Sequence, residues 1–173
     1  GKSIGQGNLS GFKLEAFDKM GKMGWLGAAI PEEYGGSGLG WVEMGIILEG
    51  LSYASFDFSA LYYRAACHGA QSLLTYGSDE QKKQFLPLIA AGKFKSSLRL
   101  TEPNAGSDVG AMTTTAVKSG GDYVINGSKT WISNAGIADH YVVFARTDNI
   151  PGPRGLSAFI VDTSTPGLAV GQS

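Results

Sequence analysis

Apolar residues in the first half of the chain recur at three- and four-residue spacing, and from Phe94 onward this gives way to short β-rich runs. Phe12, Ala16, Phe17, Met20 and Met23 are spaced to lie along one side of a helix that Gly24 interrupts. After a glycine-rich connector, EEYGGSGLG (Glu32 to Gly40), the spacing resumes with Met44, Ile47, Leu48 and Leu51. A third helix is predicted over Phe58 to Tyr76, with Leu61, Ala65, Ser72 and Leu73 inward. Ser78 to Gln81 reads SDEQ, a capping-box form in which the serine accepts from a backbone N–H and the glutamine reaches back. It opens a helix carrying Phe85, Leu88 and Ile89, which Gly92 closes.

The later runs are Ser96 to Leu100, Thr113 to Val117, Tyr123 to Ile125, Lys129 to Ile132, Tyr141 to Thr147 and Leu156 to Val161, alternating with turn residues. Asn126-Gly127 is the best hairpin signal, since both residues tolerate positive φ. Helices segregated from strands argue for an α+β chain rather than a doubly wound sheet. The boundary falls near Gly92 to Lys95, which gives a helical domain over residues 1–93 and an antiparallel β domain over residues 94–173.

Charge and composition narrow the function classes. Fourteen basic against fifteen acidic side chains leave a formal charge of −1, and no basic run exceeds Lys82-Lys83, so nothing recruits nucleic acid or an anionic membrane. The only cysteine is Cys67, so no intrachain disulfide is possible, and His68 and His140 make no zinc cluster with it. A cytosolic or organelle-matrix protein fits this usage. No apolar run approaches membrane-spanning length. The chain begins at Gly1 without an initiator methionine or signal-peptide pattern and ends in GLAVGQS without a helix or strand stop, which reads as trimming at both ends.

Several stretches invite a site and do not support one. In GGSGLG, Trp41 stands where the third glycine of a dinucleotide fingerprint belongs, and no strand precedes it, so the stretch reads as an interhelical loop. The opening GKS lacks the glycine, strand and loop of a nucleotide-triphosphate site. Cys67 and His68 are adjacent on a helix and point about 100° apart, which favours core packing over a nucleophile and base. His140 reads as a strand-end residue. Tyr53, Phe56, Phe58, Tyr62 and Tyr63 form a stripe that suits a helix interface or the wall of an apolar cavity.

LTEPNAGSDVG, Leu100 to Gly110, is different. Its small residues let backbone N–H groups approach a ligand, but Gly106 is followed by Ser107 and Asp108 where a P-loop has lysine and a hydroxyl. Glu102 and Asp108 flank it and argue against a highly charged phosphate tail. KTWISNAG, Lys129 to Gly136, follows and adds Trp131. With the hydroxyls of Thr101, Ser107 and Ser133, that flat face suits a planar heteroaromatic ring with a polar tail; the competing reading is that Trp131 caps the core and the hydroxyls serve turns.

Four stretches, in order, resemble the acyl-CoA dehydrogenase family of flavoproteins: GWLGAAIPEEYGGSGL (Gly24 to Leu39), YGSDEQKKQFLPLIAAG (Tyr76 to Gly92), LTEPNAGSDVGAM (Leu100 to Met112) and YVINGSKTWISNAGIAD (Tyr123 to Asp139). The resemblance implies a helical domain, a barrel-like β domain and a C-terminal helical bundle that this chain lacks. It implies FAD, an acyl-CoA substrate oxidised to its α,β-enoyl form, an electron-transfer flavoprotein as acceptor, and a homotetramer or homodimer in the bacterial cytoplasm or mitochondrial matrix. Carried over by position, Leu98, Leu100 and Thr101 meet the pyrimidine side of the flavin. Gly106 and Ser107 lie along the pyrophosphate, and Ser107 also touches acyl-CoA. Trp131 packs on the ring while Ile132 and Ser133 approach its edge.

The resemblance assigns no catalytic residue here, because the family's glutamate base belongs to the C-terminal bundle; Glu102 is expected to be structural. Arg99 departs from the small or apolar residue usual at its position, and strand alternation points it away from the ring. Alternatives are an acyl-CoA oxidase or flavin monooxygenase on the same scaffold, or a non-catalytic acyl-CoA or protein-binding module.

Overall fold

The computed structural model describes the backbone of residues 6–171 and the side chains of residues 14–171. The chain divides into two compact units, residues 1–96 and 97–173. Phe12 and the opening GKS lie outside the described side chains and residues respectively.

The first unit is helical: α1 is Gln6–Lys22, α2 Trp41–Ala54, α3 Phe56–Tyr63, α4 Ser72–Tyr76 and α5 Asp79–Ala90. Phe17 and Met20 of α1, Met44 and Leu51 of α2, and Leu61 and Tyr62 of α3 meet in one core with Leu26. Each large side chain buried there contributes about 1.5–3 kcal/mol of transfer free energy. Between α3 and α4, Arg64–Gln71 is wound as a π-helix, so the helix expected as one rod over Phe58 to Tyr76 is a composite. Its small residues Ala65, Ala66, Gly69 and Ala70 face inward.

The cap of α5 is as its sequence requires: Ser78 Oγ accepts from the Gln81 N–H at 3.2 Å, and Gln81 Oε1 accepts from the Ser78 N–H at 2.9 Å. Gly92 ends the segment at φ +67°. On the buried face of α5, Leu86 and Ile89 are fully covered, whereas Leu88 is exposed. Met23 also turns outward, because α1 ends at Lys22 and the helical period no longer aims it. The aromatic stripe does not line one cavity: Tyr62 is buried, Phe58 half-buried, and Tyr53, Phe56 and Tyr63 exposed.

The strands are β1 Ser96–Arg99, β2 Thr115–Ser119, β3 Asp122–Asn126, β4 His140–Arg146 and β5 Leu156–Asp162. They run β1-β4-β2-β3, with β5 also paired to β4. The long pairings are antiparallel, from His140↔Asp162 to Arg146↔Leu156 and from Thr115↔Asn126 to Ser119↔Asp122. One register, Thr115↔Arg146, is parallel. No pairing among the described residues closes the path into a ring.

Two expectations fail for local reasons. The β2–β3 hairpin turns at Gly120-Gly121, not at Asn126-Gly127, and Gly120 supplies the positive φ, +62°, at the first turn position. Gly127 is glycine because of crowding: a Cβ there would lie 2.7 Å from the Thr114 Cα. The run Lys129 to Ile132 is not a strand, since Trp131 has φ +56°, which no extended ladder accommodates.

Candidate cofactor-binding site

Glu102 organises the loop that follows β1. Its N–H donates to the Ala105 carbonyl at 2.9 Å and its carbonyl accepts from the Ala105 N–H at 3.2 Å, closing a tight turn. Its carboxylate is buried and receives four donors. Oε2 accepts from the Thr113 N–H at 2.7 Å and the Thr113 hydroxyl at 2.8 Å, while Oε1 accepts from the Thr114 N–H at 3.0 Å and Lys129 Nζ at 2.9 Å. Burial alone would raise the Glu102 pKa, but the bonds from Lys129, Thr114 and Thr113 outweigh it and hold the pKa down at about 2. Burial pushes the Lys129 pKa down, and the Glu102 carboxylate offsets part of that. Glu102 is therefore charged at neutral pH, and Lys129 Nζ lies 2.9 Å from it.

The same lysine joins the two motifs. Lys129 Nζ also donates to the Leu100 carbonyl at 3.1 Å, and the Thr130 N–H donates to the Thr101 carbonyl at 3.0 Å. Ser97 Oγ donates to the Ser133 carbonyl. The residues Leu98, Leu100 and Thr101 are thereby brought beside Trp131, Ile132 and Ser133. Gly106 and Ser107 lie exposed beyond the Glu102–Ala105 turn, and no hydrogen bond among the described residues ties them to the Trp131 segment. Lys129 and Ser97 were not anticipated as organisers; a lysine entering the second motif and a serine inside a strand carry no signal of partners 27 and 36 positions away.

Trp131 is 89% exposed and one of two non-glycine residues with positive φ among those described; the other, Asn134 at φ +62°, is three positions on. A bulky residue held in the left-handed region costs about 1–2 kcal/mol and persists only where its surroundings impose it. The core-cap reading of Trp131 therefore fails: the indole faces solvent. The backbone N–H groups of Gly106, Ser107, Ile132 and Ser133, and the hydroxyls of Thr101, Ser107 and Ser133, bond to no other described residue. An open flat apolar face beside unused donors fits a planar ring carrying acceptor atoms and an anionic tail.

Two domain models match this chain: "Acyl-CoA dehydrogenase, N-terminal domain" over residues 8–93 and "Acyl-CoA dehydrogenase, middle domain" over residues 97–173. The chain belongs to the acyl-CoA dehydrogenase family. It is 40% identical over 161 residues to an acyl-CoA dehydrogenase of Bacillus subtilis, a match covering 93% of this chain and 42% of the relative. It is 41% identical over 162 residues to the caffeyl-CoA reductase-Etf complex subunit CarC of Acetobacterium woodii, covering 94% of this chain and 43% of the relative.

Among solved structures of family members, the FAD complex of PigA superposes with a TM-score of 0.86 at 35% identity, covering 92% of this chain and 42% of that one. The chain thus spans about two-fifths of the length of the relatives it matches. Family members are FAD-binding oxidoreductases, and the residues around Trp131 fit that cofactor. No helix among the described residues is long and apolar enough to cross a membrane.

Proposed function

We propose that this chain supplies the flavin contacts of an FAD-dependent enzyme that oxidises an acyl-CoA thioester to its α,β-enoyl form, with an electron-transfer flavoprotein as acceptor. The observation that carries the reading is the exposed Trp131, held at φ +56° beside the loop that Glu102 and Lys129 lock in place. Bound FAD supplies a two-electron acceptor for the hydrogen that leaves the β-carbon. Trp131 covers part of the ring and excludes water from it. The Thr101 hydroxyl and the Ile132 and Ser133 N–H groups donate to its edge, and because their backbone is already fixed they need no reorganisation as negative charge develops there. Gly106 and Ser107 present N–H groups to the pyrophosphate, and Ser107 reaches the acyl-CoA.

Glu102 takes no part in proton removal. A carboxylate filled by four donors, with a pKa of about 2, has neither a free lone pair nor the basicity for an α-proton. The base belongs to a part of the full-length enzyme outside this chain, which works as a homotetramer or homodimer in the cytoplasm or mitochondrial matrix. Two measurements test the reading. Purified full-length protein should carry flavin absorbance and bleach anaerobically with an acyl-CoA of suitable chain. Residues 1–173 loaded with FAD should not bleach with short, branched or medium acyl-CoAs. Absence of flavin from the full-length protein after reconstitution with FAD overturns the proposal, and rapid bleaching of the loaded fragment overturns the assignment of the base.

A further inference from the structure

Arg99 lies on β1 between Leu98 and Leu100 and is only 9% exposed. Its guanidinium carbon is 3.4 Å from the centroid of the Tyr141 ring on β4, the neighbouring strand. Tyr141 is buried in turn, and its hydroxyl accepts from the Gly136 N–H at 3.3 Å. Ser97, on the same face of β1 as Arg99, donates to the Ser133 carbonyl. Ser97 and Tyr141 therefore tether the segment from Trp131 to Gly136, and Arg99 sits with them.

Arg99 makes no such tether among the described residues. Its Nε and Nη2 are buried and donate to no acceptor among the described residues, and none of the described carboxylates forms an ion pair with it. The buried acid nearest in sequence, Glu102, is already neutralised by Lys129 at 2.9 Å. The tyrosine face offsets part of the cost of burying the guanidinium, but it does not cancel the charge. Among the described residues this positive charge meets no carboxylate, and it lies in the part of the β unit that holds the proposed flavin platform.

We propose that Arg99 is an electrostatic tuning residue for the bound flavin, whose fixed positive charge favours the reduced, negatively charged ring over the oxidised one. This rests on the FAD reading given above. Two-electron reduction adds two electrons and one proton to the neutral ring and leaves a net charge of −1, so a nearby fixed cation stabilises the product more than the reactant. The effect acts through space in a poorly screened interior and requires no hydrogen bond from Arg99 to the ring. The side chain can thus point away from the ring, as strand alternation directs, and still raise its potential.

The test is the midpoint potential of FAD in the full-length holoenzyme, measured by spectroelectrochemical titration for wild type, Arg99→Met and Arg99→Lys. Replacing this buried cation by an apolar chain of similar length should leave the fold intact. Arg99→Met is expected to lower the preference for reduced over oxidised flavin roughly tenfold, a fall of about 30 mV for a two-electron couple. Arg99→Lys should keep most of the wild-type potential. The proposal is overturned if Arg99→Met holds FAD at the wild-type potential, or if Arg99→Lys falls as far as Arg99→Met, since packing against Tyr141 would then be the whole role. If Arg99→Met does not retain FAD, Arg99→Gln takes its place under the same criteria. A wild-type protein that takes up no FAD defeats the parent reading and this one with it, and is recognised by its absorbance before any potential is measured.

Discussion

Lys129 Nζ lies 2.9 Å from Glu102 Oε1, with side-chain exposures of 6% and 2%, and the same ammonium donates to the Leu100 carbonyl. One buried ion pair thus fastens the loop after β1 to the segment that carries Trp131. It is a pair whose geometry is complete: the remaining carboxylate lone pairs are filled by Thr113 and Thr114, and Met112 Sδ lies 3.2 Å from the ammonium.

Breaking that pair from one side leaves the other charge buried and alone. Glu102→Gln and Lys129→Met are each expected to destabilise the protein by about 3–5 kcal/mol. Urea denaturation followed by tryptophan fluorescence measures this. A loss below about 1 kcal/mol, the range of exposed pairs, would mean that solvent reaches the site.

Trp131 separates binding from folding. Because its indole is 89% exposed, Trp131→Ala removes little packing, yet it deletes the flat contact proposed for the flavin. FAD affinity should fall by about 1–3 kcal/mol if the contact resembles base–aromatic stacking. Trp131→Gly should weaken FAD similarly while folding more stably than Trp131→Ala by about 1 kcal/mol, since glycine accepts φ +56° without a Cβ penalty. Equal stability of the two variants would show that the left-handed conformation is not retained in solution; unchanged flavin content after extensive dialysis would remove Trp131 from the site.

Local signals in the sequence were legible where the physics is local. The SDEQ cap, the core positions Phe17, Met20, Met44, Leu51 and Leu61, and the change from helices to strands all follow from spacing and short-range chemistry. The failures occurred where a distant residue decides. Gly127 offered positive φ but is needed for its closeness to Thr114, so the adjacent glycine pair at 120–121 makes the turn. Lys129 to Ile132 has strand-forming residues, yet the bonds from Lys129 to Glu102 and from Thr130 to Thr101 draw the segment away from a ladder. The motifs marked which segments matter, but the partners that hold them were not readable from either segment alone.

Ser107 sits exposed with its N–H and hydroxyl unused within the protein, so its substitution tests ligand contact with little structural consequence. Ser107→Ala should leave the unfolding midpoint unchanged and weaken FAD or acyl-CoA binding by about 0.5–1.5 kcal/mol, the net worth of one hydrogen bond. Equilibrium dialysis for FAD and spectral titration for acyl-CoA report on each. Wild-type affinity for both would show that the hydroxyl serves neither ligand, and the site would then rest on backbone donors alone.

His140 makes stability depend on pH in a defined window. It is 1% exposed at the start of β4, and burial lowers its pKa from 6.5 to about 4, although Asp139 and Asp162 pull it upward. Between those two values the unfolded chain binds a proton that the folded chain refuses, so stability falls as pH drops through the window and the contribution is fully present only above it. The loss reaches about 3 kcal/mol at its lower end. Glu102 acts in the same direction but lower, from 4.5 down to about 2, so the upper part of the slope belongs to the histidine. Denaturant unfolding at intervals from pH 7 to pH 4.5 should show the fall in wild type and a flatter profile in His140→Gln. An equally steep profile in the variant would mean that the proton taken up on unfolding goes to another group, and that His140 is protonated in the folded protein despite its burial.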